Sequence, residues 1–174
     1  MPFTHRCGRC TACRAGLLGA SRIILLSHHE DRAKLSREFG ATDIVSERGD
    51  EAVKKIMELT NGVGVDAVQE CGGATSAIEQ ADKIARPGAV IGRVGVPQTE
   101  PSSNTLFWKN IGLRGGIANV TTYDKSVLLR AVLEAEIDPG KVFTKHFDLD
   151  HIQDAYEAMD EREAIKSLII VSDK

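Results

Sequence analysis

From Arg22 onward, short runs of β-branched and apolar residues alternate with stretches of helical period, and this rhythm constrains the fold more than any single motif. The runs are Arg22 to Leu26, Asp43 to Val45, Val65 to Gln69, Ala89 to Val94 and Gly112 to Ile117. They recur at roughly 20 to 25 residues, the length of one strand, one helix and two short loops. Between them Ala52, Val53, Ile56, Met57 and Leu59 lie along one helical stripe, and Ala77, Ile78, Ala81, Ile84 and Ala85 along another. Gly40, Gly62 and the pair Pro87-Gly88 fall where helices should stop. Strands connected through helices run parallel, and a parallel sheet needs helical cover. The expected fold class is therefore α/β, a parallel sheet with helices on both faces.

After Ile117 the rhythm changes. A helix is predicted from Asp124 to Glu134, with Val127, Leu128, Ala131, Val132 and Ala135 inward, ending at Ile137-Asp-Pro-Gly140. A β-α-β segment follows: a strand from Val142 to Phe147, a helix from Asp150 to Met159 with Ile152, Ala155, Tyr156 and Met159 on one face, and a strand from Ser167 to Val171. Composition excludes several partner classes. With 42% hydrophobic and 27% charged residues and a net charge of −3, the chain is of ordinary globular make-up and has no basic cluster for nucleic acid. Its longest apolar runs, Ile23 to Leu26 and Leu168 to Val171, are far short of the ~20 residues that cross a bilayer. The opening residues lack the apolar stretch of a signal peptide, so a cytoplasmic address is expected.

Few side chains carry obvious chemistry. Cys7, Cys10 and Cys13 place three thiols at a spacing that can present sulfur to one tetrahedral cation. His5, Cys71, water or another chain would fill the fourth corner; the alternative is a metal-free arm. Ser27 ends a strand and can cap a helix from Glu30. Glu70-Cys71-Gly72-Gly73 reads as a tight turn, with Cys71 a small buried side chain. His28 and His29 should point in different directions, and His146 and His151 stand isolated, so no catalytic dyad is expected.

Several segments together resemble a known family. Leu18 to Ser27, Glu30-Asp-Arg32, Glu38 to Thr42, Gly62 to Asp66, Ala85 to Gly88, Val94 to Pro97, Leu113 to Gly116, and Ala158 to Lys166 are similar to the cofactor domain of medium-chain, zinc-type alcohol dehydrogenases. The resemblance implies a Rossmann-like sheet and hydride exchange between alcohols or carbonyls and a nicotinamide cofactor. In the family, an acid at the end of the second strand bonds the adenosine ribose of NAD. Here Ser27-His28-His29 stands there with Arg32 nearby, which implies NADP over NAD. By the same resemblance Cys71 and Gly72 would line the adenosine pocket. Val94, Gly95, Val96, Gly116 and Ile117 would face the nicotinamide carboxamide, and Lys166 the pyrophosphate, the alternative for Lys166 being a solvated lysine at a strand start. Cys7, Cys10 and Cys13 would match a structural zinc lobe, incomplete because Ser21 stands where the fourth cysteine would fall. The sheet edge near Leu106 to Ile117 would pair with another subunit in a homo-oligomer; the alternative for Leu106 to Ile111 is a plain core-packing helix turn.

The departures matter equally. Neither a Gly-His-Glu triplet nor a Gly-x-Gly-x-x-Gly turn occurs in the chain, and the first strand of the family sheet is not found. Residues 1–16 are read as a remnant of the zinc arm, 17–140 as a partial dinucleotide-binding domain, and 141–174 as a segment belonging with the catalytic domain. Without its first strand the sheet should fall into two fragments. The strand from Ser167 to Val171, direct pairing across the gap, or a neighbouring subunit would fill the space between them. The expected function is that of an NAD(P)-dependent alcohol dehydrogenase in a truncated form, with weak dinucleotide binding and no catalytic residue in this chain. The alternative is a non-catalytic dinucleotide-binding or oligomerisation module.

Overall fold

The computed structural model describes residues 19–116 and 122–172, the last set with backbone only for 122–124. The chain divides into two compact units, Met1–Lys125 and Ser126–Lys174. The first unit runs β1 (Ile24–Leu26), α1 (Glu30–Glu38), β2 (Asp43–Val45), α2 (Gly49–Leu59), β3 (Val65–Glu70), α3 (Thr75–Ile84), β4 (Ala85–Arg93), α4 (Ser103–Trp108) and β5 (Gly112–Gly115). Every pairing is parallel, so the predicted strand and helix alternation holds.

Those strands form two sheets. β1 pairs with β2, and β3, β4 and β5 lie in that order in a second sheet. Side chains join what the ladders leave apart. Val45, Ala52, Ile56 and Ile84 make a buried cluster against which Ile24 of β1 and Val65 and Val68 of β3 pack. The apolar stripes of α2 and α3 thus hold both sheets to one core. A second cluster, Ala81, Ala85, Ala89, Ile91 and Ile111, seats α3 and the α4–β5 turn on the three-stranded sheet. On the opposite face of that sheet Ala67 and Val90 are exposed.

The turn around Pro87 and Gly88 differs from expectation. Helix α3 ends at Ile84 without them, and both lie inside β4. There the register jumps from Val65 opposite Ala85 to Ala67 opposite Val90, which makes them part of a bulge. Gly88, at φ 78°, gives its N–H to the Lys109 carbonyl at 2.8 Å. The Lys109 ammonium closes α3 instead, donating to the carbonyls of Asp82 (2.9 Å), Lys83 (3.3 Å) and Ala85 (3.2 Å). A cation there meets the negative end of the helix dipole.

The second unit carries β6 (Phe143–Asp148), α6 (Ile152–Asp160) and β7 (Lys166–Ile170), a parallel β-α-β unit as predicted. The expected terminal strand β7 pairs with β6, and among the described residues β1 pairs with β2 alone. Helix α6 buries Ala155 and Ala158, while Ile152 and Tyr156 are exposed. The apolar face therefore follows the small residues, which let the helix lie close to its strands. Helix α5 (Thr122–Leu133) buries Ala131, but Val127 and Val132 of the predicted inward stripe are exposed. Ala135 lies beyond its end at φ 57°, a left-handed residue that stops the helix. His151 is not isolated, since its Nδ1 sits 2.5 Å from Asp148, whose carboxylate holds the imidazole pKa above its usual range. No described helix is long and apolar enough to cross a membrane.

Asp82 is buried on α3, with Oδ2 accepting the Ser102 N–H at 3.2 Å and Oδ1 without a partner among the described residues. Burial raises its pKa above the ordinary 3.8, against the opposing pull of the Ser102 N–H and the Lys109 charge. The folded state then binds this proton more tightly than the unfolded chain, so stability falls as pH rises from about 4 through the folded pKa and is level above it. Asp82→Asn is expected to lose that slope and to match or exceed the parent at neutral pH, as measured by urea unfolding across pH 3.5 to 7.

Candidate functional site

In open parallel sheets, ligands sit beyond the carboxyl ends of the strands. Ser27 and His28 follow β1, Arg48 follows β2, Glu70 to Gly73 close β3, Val94 to Val96 follow β4, and Gly116 follows β5.

Beyond β1, the ladder extends by one bond, from the Ser27 N–H to the Val45 carbonyl at 3.0 Å. The Ser27 hydroxyl donates to the His29 carbonyl at 3.5 Å and does not cap α1; the N-cap residue is His29, without a side-chain cap bond. The rings of His28 and His29 lie together, centroids 3.9 Å apart, contrary to the divergence predicted for a strand end. The chain is no longer extended there, so neighbouring side chains do not alternate. Arg48, the N-cap residue of α2, brings Nη2 to 3.0 Å from His28 Nδ1. His28 and Arg48 thus meet, because residues that follow adjacent parallel strands are neighbours. Arg32 lies on α1 and is exposed.

Beyond β3 and β4 two turns interlock through backbone. The Glu70 carbonyl accepts the N–H groups of Val94 (2.7 Å) and Gly95 (3.1 Å), and the Gly73 carbonyl accepts that of Gln98 (2.8 Å). The Glu70 side chain is buried, and its Oε1 accepts the N–H groups of Gly72 (2.6 Å) and Gly73 (2.7 Å). A Cβ on Gly73 would stand 2.0 Å from the Val96 carbonyl oxygen, and one on Gly95 2.4 Å from Gly73 N. Contact this close needs glycine on both turns. Cys71 is exposed and not buried as predicted; the acid beside it took the interior position because two N–H groups receive its charge.

The structure therefore brings Ser27 to His28, and Cys71 and Gly72 to Val94, Gly95 and Val96. Lys166 opens β7 in the other unit and is exposed. Gly116 is exposed at φ 132°. Cys7, Cys10, Cys13 and Ile117 lie outside the described residues. Arg48 and Glu70 were missed. Their signals were a base at the end of β2, beside β1, and an acid two residues before a glycine pair. Among the described residues no group of three or more His, Cys, Asp or Glu could hold a metal ion, so these residues do not fit zinc.

Comparison with known proteins agrees with this architecture. Residues 8–132 match the family model described as zinc-binding dehydrogenase. A probable NADP-dependent isopropanol dehydrogenase of Mycoplasma pneumoniae is 29% identical over 168 residues, covering 90% of this chain and 47% of that protein. The NADP-dependent isopropanol dehydrogenase of Thermoanaerobacter brockii is 31% identical over 170 residues, with 91% and 47% covered. The solved structure of an alcohol dehydrogenase from Thermus sp. ATN1 superposes with a TM-score of 0.82 at 28% identity, over 92% of this chain and 47% of that one. The chain belongs to the zinc-binding dehydrogenase family, a family of oxidoreductases. It spans about half the length of the relatives it matches.

Gly95→Ala is expected to force the two turns apart and to cost about 1–3 kcal/mol, the range of overpacked interiors. Gly92→Ala is the control, because a Cβ there meets its nearest atom at an ordinary 3.7 Å. Thermal unfolding of both variants should show the loss in the first alone.

Proposed function

We propose that this chain supplies the dinucleotide-binding part of an alcohol dehydrogenase and takes NADP in preference to NAD. The observation that carries this reading is the contact of Arg48 with His28 beyond the ends of β1 and β2, where a guanidinium stands against an imidazole. An acid at that strand end accepts the ribose hydroxyls of NAD and repels a 2′-phosphate. A guanidinium does the reverse, with donors matched to phosphate oxygens. The dehydrogenases of M. pneumoniae and T. brockii, named for NADP, support the same preference. Cys71, Gly72, Val94, Gly95, Val96 and Gly116 would line the remainder of the site through backbone atoms.

When bound, the nicotinamide supplies the hydride chemistry. This chain's residues bind and orient it, and no residue here is assigned to the transfer itself. A second reading is binding without turnover. It is supported by the sequence, which contains neither Gly-His-Glu nor Gly-x-Gly-x-x-Gly.

Titration of the full chain with NADPH and NADH, followed by amide chemical shifts, tests the first reading. Binding weaker than micromolar is expected, with NADPH favoured about tenfold, equivalent to ~1.4 kcal/mol. Arg48→Ala should abolish the preference. Equal affinity for the two, or an unaltered preference in the variant, would remove the NADP assignment. Alcohol-dependent formation of NADPH by the same sample would exclude binding without turnover.

We also propose self-association along the edge near Leu106 to Ile117. Phe107 and Trp108 support it, 75% and 81% exposed and set edge to face at 5.3 Å, beside β5, which among the described residues pairs with β4 alone. Trp108→Ser is expected to shift sedimentation towards monomer.

A further inference from the structure

Glu70 is 4% exposed at the last position of β3. A carboxylate removed from water is costly unless hydrogen bonds receive its charge. Here two do so at 2.6 and 2.7 Å, lengths typical of charge-assisted bonds, from consecutive backbone amides. Consecutive N–H groups that converge on one point form an anion-binding concavity. In this chain the anion is internal. The Gly72 and Gly73 amides are occupied by Glu70, and a ligand phosphate could use them only by displacing a buried side chain. The carbonyl of the same residue holds the amides of Val94 and Gly95. One residue therefore ties both turns, by its side chain on one and its backbone on the other.

We propose that Glu70 is the positioning residue of the dinucleotide site: its carboxylate sets the Cys71–Gly73 turn against the Val94–Val96 turn before any ligand arrives. This rests on the dinucleotide reading above. Only Oε1 makes the two bonds; Oε2 is buried without a partner among the described residues. The shape of the turn thus depends on one acceptor oxygen at the right reach, which glutamine retains. Aspartate is one methylene short, and alanine has no acceptor.

The test uses the full chain, small enough at 18.8 kDa for amide-resolved spectra. Hydrogen exchange at Gly72 and Gly73 and the NADPH dissociation constant are measured in the parent, Glu70→Ala, Glu70→Asp, Glu70→Gln and Asp82→Asn. In Glu70→Ala, exchange at the two glycines should accelerate about tenfold or more relative to Ala67 and Val68, and NADPH should bind about tenfold more weakly. Glu70→Gln should stay within roughly threefold of the parent on both counts, a rescue that follows from its retained acceptor. Asp82→Asn alters the stability of the same unit away from the turns and should move neither readout. Parental exchange or parental affinity in Glu70→Ala would overturn the proposal. If the alanine variant does not fold, the contrast of Glu70→Asp with Glu70→Gln decides, and equal behaviour of those two overturns it. Absence of any NADPH response in the parent would defeat the dinucleotide reading and the ligand half of this inference. Exchange at Gly72 and Gly73 would then still decide whether Glu70 sets the turn.

Discussion

Among the described residues, the two parallel sheets of the first unit share no hydrogen-bonded ladder, and packing joins them instead. Ile56 and Val45 are the largest fully buried side chains among the described residues, and with Ala52 and Ile84 they form the floor on which Ile24, Val65 and Val68 rest. Everything that positions the site depends on that floor. The carboxyl ends of β1 and β2 present Ser27, His28 and Arg48, while those of β3 and β4 present the interlocked turns. Helices α2 and α3 carry the apolar residues common to both groups.

Much of this was legible in the sequence because parallel α/β folds write their geometry into spacing. The stripes through Ala52 and Ile56 and through Ile78 and Ala81 did become buried helix faces, and the strands fall within a few residues of the apolar runs. What could not be read was set by contacts distant in sequence. Pro87 and Gly88 look like a helix stop, yet Lys109 performs that task from a position 24 to 27 residues away. The apolar residues of α5 and α6 fit a broad inward stripe, yet burial in their own unit selects alanines.

The site shows the same division. Resemblance named the loops, but the residues that organise them, Arg48 and Glu70, act across strands. Arg48 reaches His28 from 20 positions away, and Glu70 binds amides on its own turn and on the next. Burial preference suggested that Cys71 would turn inward, and it is exposed. Glu70 is the buried one, and the Gly72 and Gly73 amides supply the hydrogen bonds that a buried carboxylate requires.

Helix α1 contains no buried residue, and the β1–β2 ladder beneath it has three residues in each strand. Helix α1 therefore gives up little apolar contact when it opens, and it should fray at a smaller free energy than the core around Ile56, to which Val45 of β2 belongs. His28 and His29 lead into that helix. A phosphate held there would stiffen the start of α1, and part of its binding energy would go to ordering the backbone that receives it.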